Sequence, residues 1–493
     1  MVMSYTRRAF RGASISLVFA ILASLVAYGT RILLARNLSL QEYGLFYAVF
    51  NFVIFFLFFR DLGLGQALVK YIAEYRVNKK YQDIATSIKS VITFQVLSSL
   101  FFAAIFWIFA DKLASSYFQI DSAALILRFL IVYVIFSILF IISKNIFQGF
   151  QRMVLYSSVE LIKNLLVLGL VFLFFTQGFS LFSPVFAFAL VSPILFLLYV
   201  PFVFNTFNLL HYKVKHFKTH TKKLFSFGVP VFATAVGGKI IGYLDTLFLT
   251  YFSSLSEVGI YNVVLPSALV FLFFSKAISS ILFPLSSELW IKKENKRLSQ
   301  GISLLHKYSF ILMAPVISTV ILFSPFLLEL LFGKNYVAGT LSLQILLLGV
   351  PLYVVASMNN NLLSGIGKPK LVTLIILLSA TLNILANIVL IPSYGIEGAA
   401  VATSLSYLFM LLFSTGLVSR NLKISFPWKN WGSLVIPLLI LASVAFVTIN
   451  IFQISPIFQF ILVFIFSSIA FIVTLLILRV ISLEELRRHL RRI

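Results

Sequence analysis

Seven charged side chains fall within or at the ends of long apolar runs: Arg31, Arg60, Asp61, Arg128, Lys239, Asp245 and Lys276. A charge at the middle of a bilayer costs roughly 2.5–3.5 kcal/mol on insertion scales, so it is seldom left facing lipid. Arg31, Arg60, Lys239 and Lys276 are therefore candidate substrate-binding residues, and Asp61 and Asp245 are candidate charge partners. Cations outnumber carboxylates in this set, which suits an anionic ligand. Arginine in particular grips phosphate oxygens with two parallel N–H donors. A plainer reading stands beside each residue. Arg60 lies about 24 Å along a helix from Gly44, where its long side chain can snorkel to headgroups. Arg128 follows a polar loop and reads as interfacial, and Arg36 reads as an anchor at a helix end. Lys239 and Asp245 are six positions apart, off one helix face, so each needs its own partner. Lys276 can pair with Asp61 as a packing ion pair.

Other chemistry is poorly supplied. The chain has no cysteine, which removes disulfides, thiolate metal sites and thiol nucleophiles. Gly365-Ile366-Gly367-Lys368 looks like the tail of a phosphate loop, but Pro369 stands where Ser or Thr is required. His211, His216 and His220 sit among five lysines in one connection and read as a solvated linker rather than a metal site. The 15 acidic residues are too few and too scattered for a hydrolytic pair. No catalytic residue, metal or cofactor is expected.

The elements that must position these charges are membrane helices. With 60% hydrophobic residues and 55 Phe, the composition excludes a soluble globular protein, and apolar runs of about 20 residues recur throughout. Thr6-Arg7-Arg8-Ala9-Phe10 faintly resembles a twin-arginine signal. The run from Ile15 to Leu34 lacks a small-residue cleavage site, however, and reads as a first transmembrane helix. Hydropathy predicts 14 spans: 15–35, 44–64, 88–110, 123–143, 156–176, 182–204, 224–251, 259–283, 304–326, 337–363, 370–391, 396–418, 431–452 and 456–479. The net charge of +24 is concentrated in short connections, so it predicts topology and not a nucleic-acid partner. Placing the N-terminus inside collects about 30 of the 39 basic residues on the cytoplasmic side. Both termini are then cytoplasmic.

The spans repeat. At an offset of 215, Ser39, Leu40, Glu42, Gly44, Val49 and Phe56-Leu57-Phe58-Phe59 recur as Ser254, Leu255, Glu257, Gly259, Val264 and Phe271-Leu272-Phe273-Phe274. These nine identities exceed the roughly two or three that such a composition gives by accident. Gly149-Phe150-Gln151-Arg152 is answered by Gly365-Ile366-Gly367-Lys368 at an offset of 216. Six spans separate the copies, so both halves share one topology about an axis along the membrane normal. The expected architecture is all-α and polytopic, with 14 transmembrane helices: two six-helix bundles in pseudo-twofold arrangement plus two C-terminal helices. The first bundle takes residues 1–205, a basic cytoplasmic linker 206–223, the second bundle 224–419, and the additional pair with its basic tail 420–493.

Three stretches carry a family resemblance. Leu34-Ala35-Arg36-Asn37-Leu38 leading into Glu42-Tyr43-Gly44-Leu45-Phe46 resembles the opening signature of the polysaccharide and oligosaccharide flippases. Gly365-Ile366-Gly367-Lys368-Pro369, and Ile391-Pro392-Ser393-Tyr394-Gly395 running into Ile396-Glu397-Gly398-Ala399-Ala400-Val401-Ala402, resemble later parts of the same family. The superfamily also holds lipid-linked peptidoglycan precursor flippases and the multidrug and toxin extrusion exporters, which usually lack the final helix pair. The resemblance covers nearly the whole chain. It implies a V-shaped pair of bundles in the cell membrane, acting as a monomer by alternating access on a lipid-linked glycan, with H⁺ or Na⁺ coupling left open. The tail of a polyprenyl phosphate or pyrophosphate carrier stays among membrane lipids while the sugars cross. Two rivals remain: an ion-coupled multidrug exporter, for which acidic cavity residues are scarce here, and a membrane glycosyltransferase or polymerase, for which the outer loops are short.

Overall fold

A computed structural model describes residues 2–422, 431–433, 435–451 and 455–478. The chain is an all-α, polytopic membrane protein. Among the described residues, twelve helices are long and apolar enough to cross a membrane. One of them, α14 (Pro369–Leu422), holds two spans, because it turns at Gly395 with φ 50° and ψ −126°. The shorter apolar helix α15 (Val435–Ile451) lies on the run 431–452, and the run 259–283 is interrupted by a 3-10 turn at Val270–Leu272.

The chain forms two compact units, Met1–Asn262 and Val263–Ile493. The first contains α1 (Val2–Asn37), α2 (Leu40–Asp61), α3 (Leu64–Val77), α4 (Tyr81–Leu113), α5 (Ser122–Gly149), α6 (Met153–Thr176), α7 (Phe182–Thr206) and α8 (Phe217–Phe252). It also holds the start of α9 (Leu255–Leu269). Helix α3 was not expected from hydropathy, which leaves residues 65–87 as a connection. It forms because Leu64, Ala67, Leu68 and Ile72 recur at helical spacing. These side chains bury that face against Ile84 and Ile88 of α4, Ile138, Ile142 and Ile146 of α5, and Leu224 of α8. Residues of the 206–223 linker are tied to the same helices. Lys89 donates to the Tyr212 carbonyl at 2.7 Å, and His220 lies 3.3 Å from Asp83.

The sequence repeat has a physical basis at two levels. Ser39 caps α2 by accepting from the Glu42 N–H at 3.2 Å while Glu42 Oε2 accepts from the Ser39 N–H at 2.9 Å. Ser254 accepts from the Glu257 N–H, also at 3.2 Å. Such caps stabilise a helix start by about 1 kcal/mol each. The repeated glycines then let α2 and α9 cross backbone to backbone. A β carbon on Gly44 would fall inside the Leu255 carbonyl oxygen, and one on Gly259 would meet the Leu40 carbonyl oxygen at 2.6 Å. Each glycine therefore faces the leucine four residues before the other, and the two leucines are themselves repeat mates.

The second unit contains the rest of α9, α10 (Phe273–Ile291), α11 (Asn295–Leu322), α12 (Ser324–Phe332), α13 (Thr340–Gly365), α14, α15 and α16 (Pro456–Ile477). The final pair docks on this unit. Leu441 of α15 and Phe471 and Leu475 of α16 bury against Ile311 of α11, while Ala445 and Val463 pack on Phe323.

Candidate functional site

Arg31 sits on α1 about 9 Å, six residues, from its C-terminal end. Its Nη1 donates to the carbonyl oxygen of Asn262 at 2.8 Å, and its guanidinium lies over the Tyr47 ring, 4.6 Å from the centroid. The carbonyl is available for a covalent reason. In a helix the Asn262 oxygen should accept from the N–H four residues on, but that residue is Pro266, which has none. Arg31 supplies the missing donor. The Asn262 side chain is itself fixed. Asn51 Nδ2 donates to Asn262 Oδ1 at 2.7 Å, and Asn262 Nδ2 donates to the Val258 carbonyl at 2.9 Å. Tyr47 and Asn262 are repeat mates at the offset of 215, so Arg31 is held between two copies of one position.

Lys239 lies on α8, half-buried, with Nζ 5.3 Å from the Tyr243 ring centroid and 5.8 Å from that of Phe58. Both distances fall within reach of the ring quadrupole, which attracts a cation without neutralising it. Tyr243 is one turn on from Lys239 on α8. Among the described residues, neither Arg31 nor Lys239 has a carboxylate at ion-pair distance. The first unit thus holds two cations with aromatic neighbours, Arg31 beside Tyr47 and two amides and Lys239 beside Tyr243 and Phe58, with Phe58 eleven residues, about 16 Å, along α2 from Tyr47.

The other candidates lie elsewhere. Arg60 is 4% exposed, and its Nη1 donates to the Val134 carbonyl at 2.6 Å, to Ser137 Oγ at 3.1 Å and to Ser99 Oγ at 3.3 Å. It joins α2 to α4 and α5 inside the first unit, a position that is neither headgroup-facing nor open. Asp61 accepts from the Gly65 N–H at 3.0 Å and from the Gln95 side chain, so it caps the start of α3. Asp245 is fully buried and accepts from the Tyr261 hydroxyl at 2.6 Å, joining α8 to α9. Lys239 and Asp245 are not brought together. Lys276 lies on α10, and its side chain is outside the described residues. Arg128 pairs with Asp111 at 2.6 Å beside the Trp107 ring, at the partly exposed end of α4. Tyr47, Asn51, Tyr243 and Asn262 were not singled out in the sequence. The repeat offset and the proline four residues after Asn262 were the signals that pointed to two of them.

Helices of this number and order define a polytopic membrane protein, in which Arg31 and Lys239 have no carboxylate partner among the described residues. Comparison with known proteins narrows the class. The model of the family described as "Polysaccharide biosynthesis protein" matches residues 9–290, and the MatE model matches residues 230–389. A membrane protein of Methanocaldococcus jannaschii, itself uncharacterized, is 32% identical over 446 residues, 87% of each chain. The chain belongs to the polysaccharide biosynthesis protein family. The "Probable low-salt glycan biosynthesis flippase Agl15" of Haloferax volcanii is 27% identical over 227 residues, 46% of this chain and 48% of that one. The fold is that of the solved structure described as "Lipid II flippase MurJ, inward closed conformation". The TM-score is 0.76 at 17% identity, over 92% of this chain and 98% of that one.

Proposed function

We infer that the chain is a membrane flippase that translocates lipid-linked oligosaccharide or polysaccharide units from the cytoplasmic to the outer leaflet of the cell membrane. The observation that carries this reading is the guanidinium of Arg31, fixed between Tyr47 and Asn262, with Lys239 as a second cation beside the Tyr243 and Phe58 rings. A polyprenyl phosphate or pyrophosphate brings about one to two negative charges into a region of low dielectric, where matched cations make it tolerable. The family and the naming of relatives as glycan and lipid II flippases support the same cargo. The carrier tail stays in lipid, the phosphate engages Arg31 and Lys239, and the sugars pass over the tyrosines and asparagines beside them. Alternating access moves the cargo without covalent chemistry.

The exporter reading draws on the MatE match. A carrier of hydrophobic cations needs carboxylates where this site presents Arg31 and Lys239. The two readings separate in proteoliposomes. The purified protein is expected to move a fluorescent polyprenyl-pyrophosphate oligosaccharide across the bilayer and to leave ethidium where it is, with or without a proton or sodium gradient. Ethidium transport with a stationary glycolipid would reverse the assignment.

The basic connections support cytoplasmic termini and a cytoplasmic 206–223 linker. Because the chain has no native cysteine, single substitutions report its sidedness cleanly. Ser115→Cys, Ser253→Cys and Ser393→Cys are expected to react with an impermeant thiol reagent added to intact cells, and Ser299→Cys to stay protected. Labelling at 299 with protection at 253 means the opposite orientation.

A further inference from the structure

One charged cluster of the first unit has no part in the site above. Lys144 on α5 and Lys163 on α6 share a single carboxylate, that of Glu160. Lys144 Nζ lies 3.2 Å from Glu160 Oε2, and Lys163 closes on Oε1 from one turn further along α6. Each of the other ion pairs among the described residues matches one base to one acid. Here a charge of +1 is left over. The side chains are partly open, at 27% exposure for Lys144, 21% for Lys163 and 40% for Glu160. They also lie at or just inside the ends of two membrane helices. Glu160 is seven residues into α6, about 10 Å from its start, and Lys144 is five residues, about 8 Å, from the end of α5.

The cluster lies on α5 and α6, near the turn that joins them. Lys144 and Tyr133 are eleven residues apart on α5, three turns along one face. In the orientation given above, the α5–α6 turn is cytoplasmic.

We propose that Lys144 and Lys163 form a second anion site, which takes the phosphate or pyrophosphate of the cargo on its way to Arg31, with Glu160 as the built-in counter-ion that fills it when cargo is absent. The proposal rests on the flippase reading and deepens it. Two lysines brought together near the ends of two membrane helices repel each other, and one carboxylate relieves that repulsion only in part. A phosphate group carries more charge and more acceptor oxygens than Glu160, so it completes what the carboxylate leaves unmet. Exchange of one anion for another also keeps the site weak, because the lysines give up one partner to gain the next. A site on the path of a moving cargo has to release as readily as it binds.

The plainer account is a clamp that holds α5 to α6, and the two accounts differ in what removing Glu160 does. The probe is inorganic pyrophosphate, titrated calorimetrically into the full chain in nanodiscs of neutral lipid. Glu160→Gln is expected to tighten pyrophosphate binding about tenfold, since the competing carboxylate is gone. Glu160→Asp should bind as the native protein does. Adding Lys144→Met or Lys163→Met to Glu160→Gln should cancel the gain. Unchanged or weaker binding by Glu160→Gln, at whatever thermal stability, overturns the proposal in favour of the clamp. Doping the nanodiscs with phosphatidylglycerol separates the sources of phosphate. If that lipid displaces pyrophosphate as well as a polyprenyl pyrophosphate does, the site belongs to bulk anionic lipid and the cargo assignment falls. Arg31→Gln and Lys239→Met keep the two levels distinct. If they stop glycolipid movement while Glu160→Gln leaves pyrophosphate binding unchanged, the flippase reading stands without this site. If they leave movement intact while Glu160→Gln tightens binding, the second site stands and the Arg31 patch is misassigned.

Discussion

Gly44→Ala is expected to remove most of the folded protein from the membrane. The added methyl has nowhere to go, because it would overlap the Leu255 carbonyl oxygen, which is backbone and cannot rotate away. Helices α2 and α9 must separate, and the Arg31–Asn262 and Asn51–Asn262 bonds a few residues further along depend on that approach. Overpacking of this kind costs roughly 3 kcal/mol or more, a large share of the margin of an ordinary fold. Gly259→Ala meets the Leu40 carbonyl oxygen at 2.6 Å and should be damaging but milder. Gly29→Ala and Gly169→Ala are the controls, since nothing lies within 4 Å of a β carbon at either position. Size-exclusion profiles of fluorescent fusions in detergent report the outcome. A monodisperse Gly44→Ala peak of native height and native thermal stability contradicts the close crossing.

The same two glycines mark how far the sequence could be read. The offset of 215 paired Gly44 with Gly259 and Ser39 with Ser254, and the structure gives both pairs a purpose, a crossing and a cap. The span count was equally legible, because hydropathy over about 20 residues is a strong signal. Arg31 was legible as a charge in an apolar run. What it touches was not, since a guanidinium reaches several helices and sequence spacing fixes only neighbours on its own. Arg60 illustrates the converse. Its position near the end of α2 fitted a snorkelling or open cation, yet Ser99, Ser137 and the Val134 carbonyl converge on it from helices 39 to 77 residues away. Its burial means that its loss strands the Val134 carbonyl in the interior, so an Arg60 variant reports on folding before it reports on cargo. Lys144, Glu160 and Lys163 lie in the predicted spans 123–143 and 156–176 or beside them. Their convergence depends on the packing of α5 against α6, which no single-helix pattern contains.

Arg31 carries the functional account, and its replacement should have the largest effect on transport. Arg31→Gln removes the charge opposite the cargo phosphate, for an expected loss of about a hundredfold in rate, near 3 kcal/mol. Arg31→Lys keeps the charge and loses the planar stack on Tyr47 and the second donor, so it should recover only part of that loss. The shorter glutamine also orphans the Asn262 carbonyl, which Pro266 cannot serve. Pro266→Ala restores the missing helical donor and separates the two duties of the arginine. In that background Arg31 is no longer needed to satisfy α9, and only its role toward the anion remains.

The decisive measurement is therefore glycolipid translocation by the Pro266→Ala protein and by Pro266→Ala/Arg31→Gln, reconstituted at equal folded amounts with a fluorescent polyprenyl-pyrophosphate oligosaccharide. The account predicts movement close to native in the first and about a hundredfold slower in the second. Equal rates in the two would mean that Arg31 serves only to complete a helix, and that the phosphate crosses somewhere else.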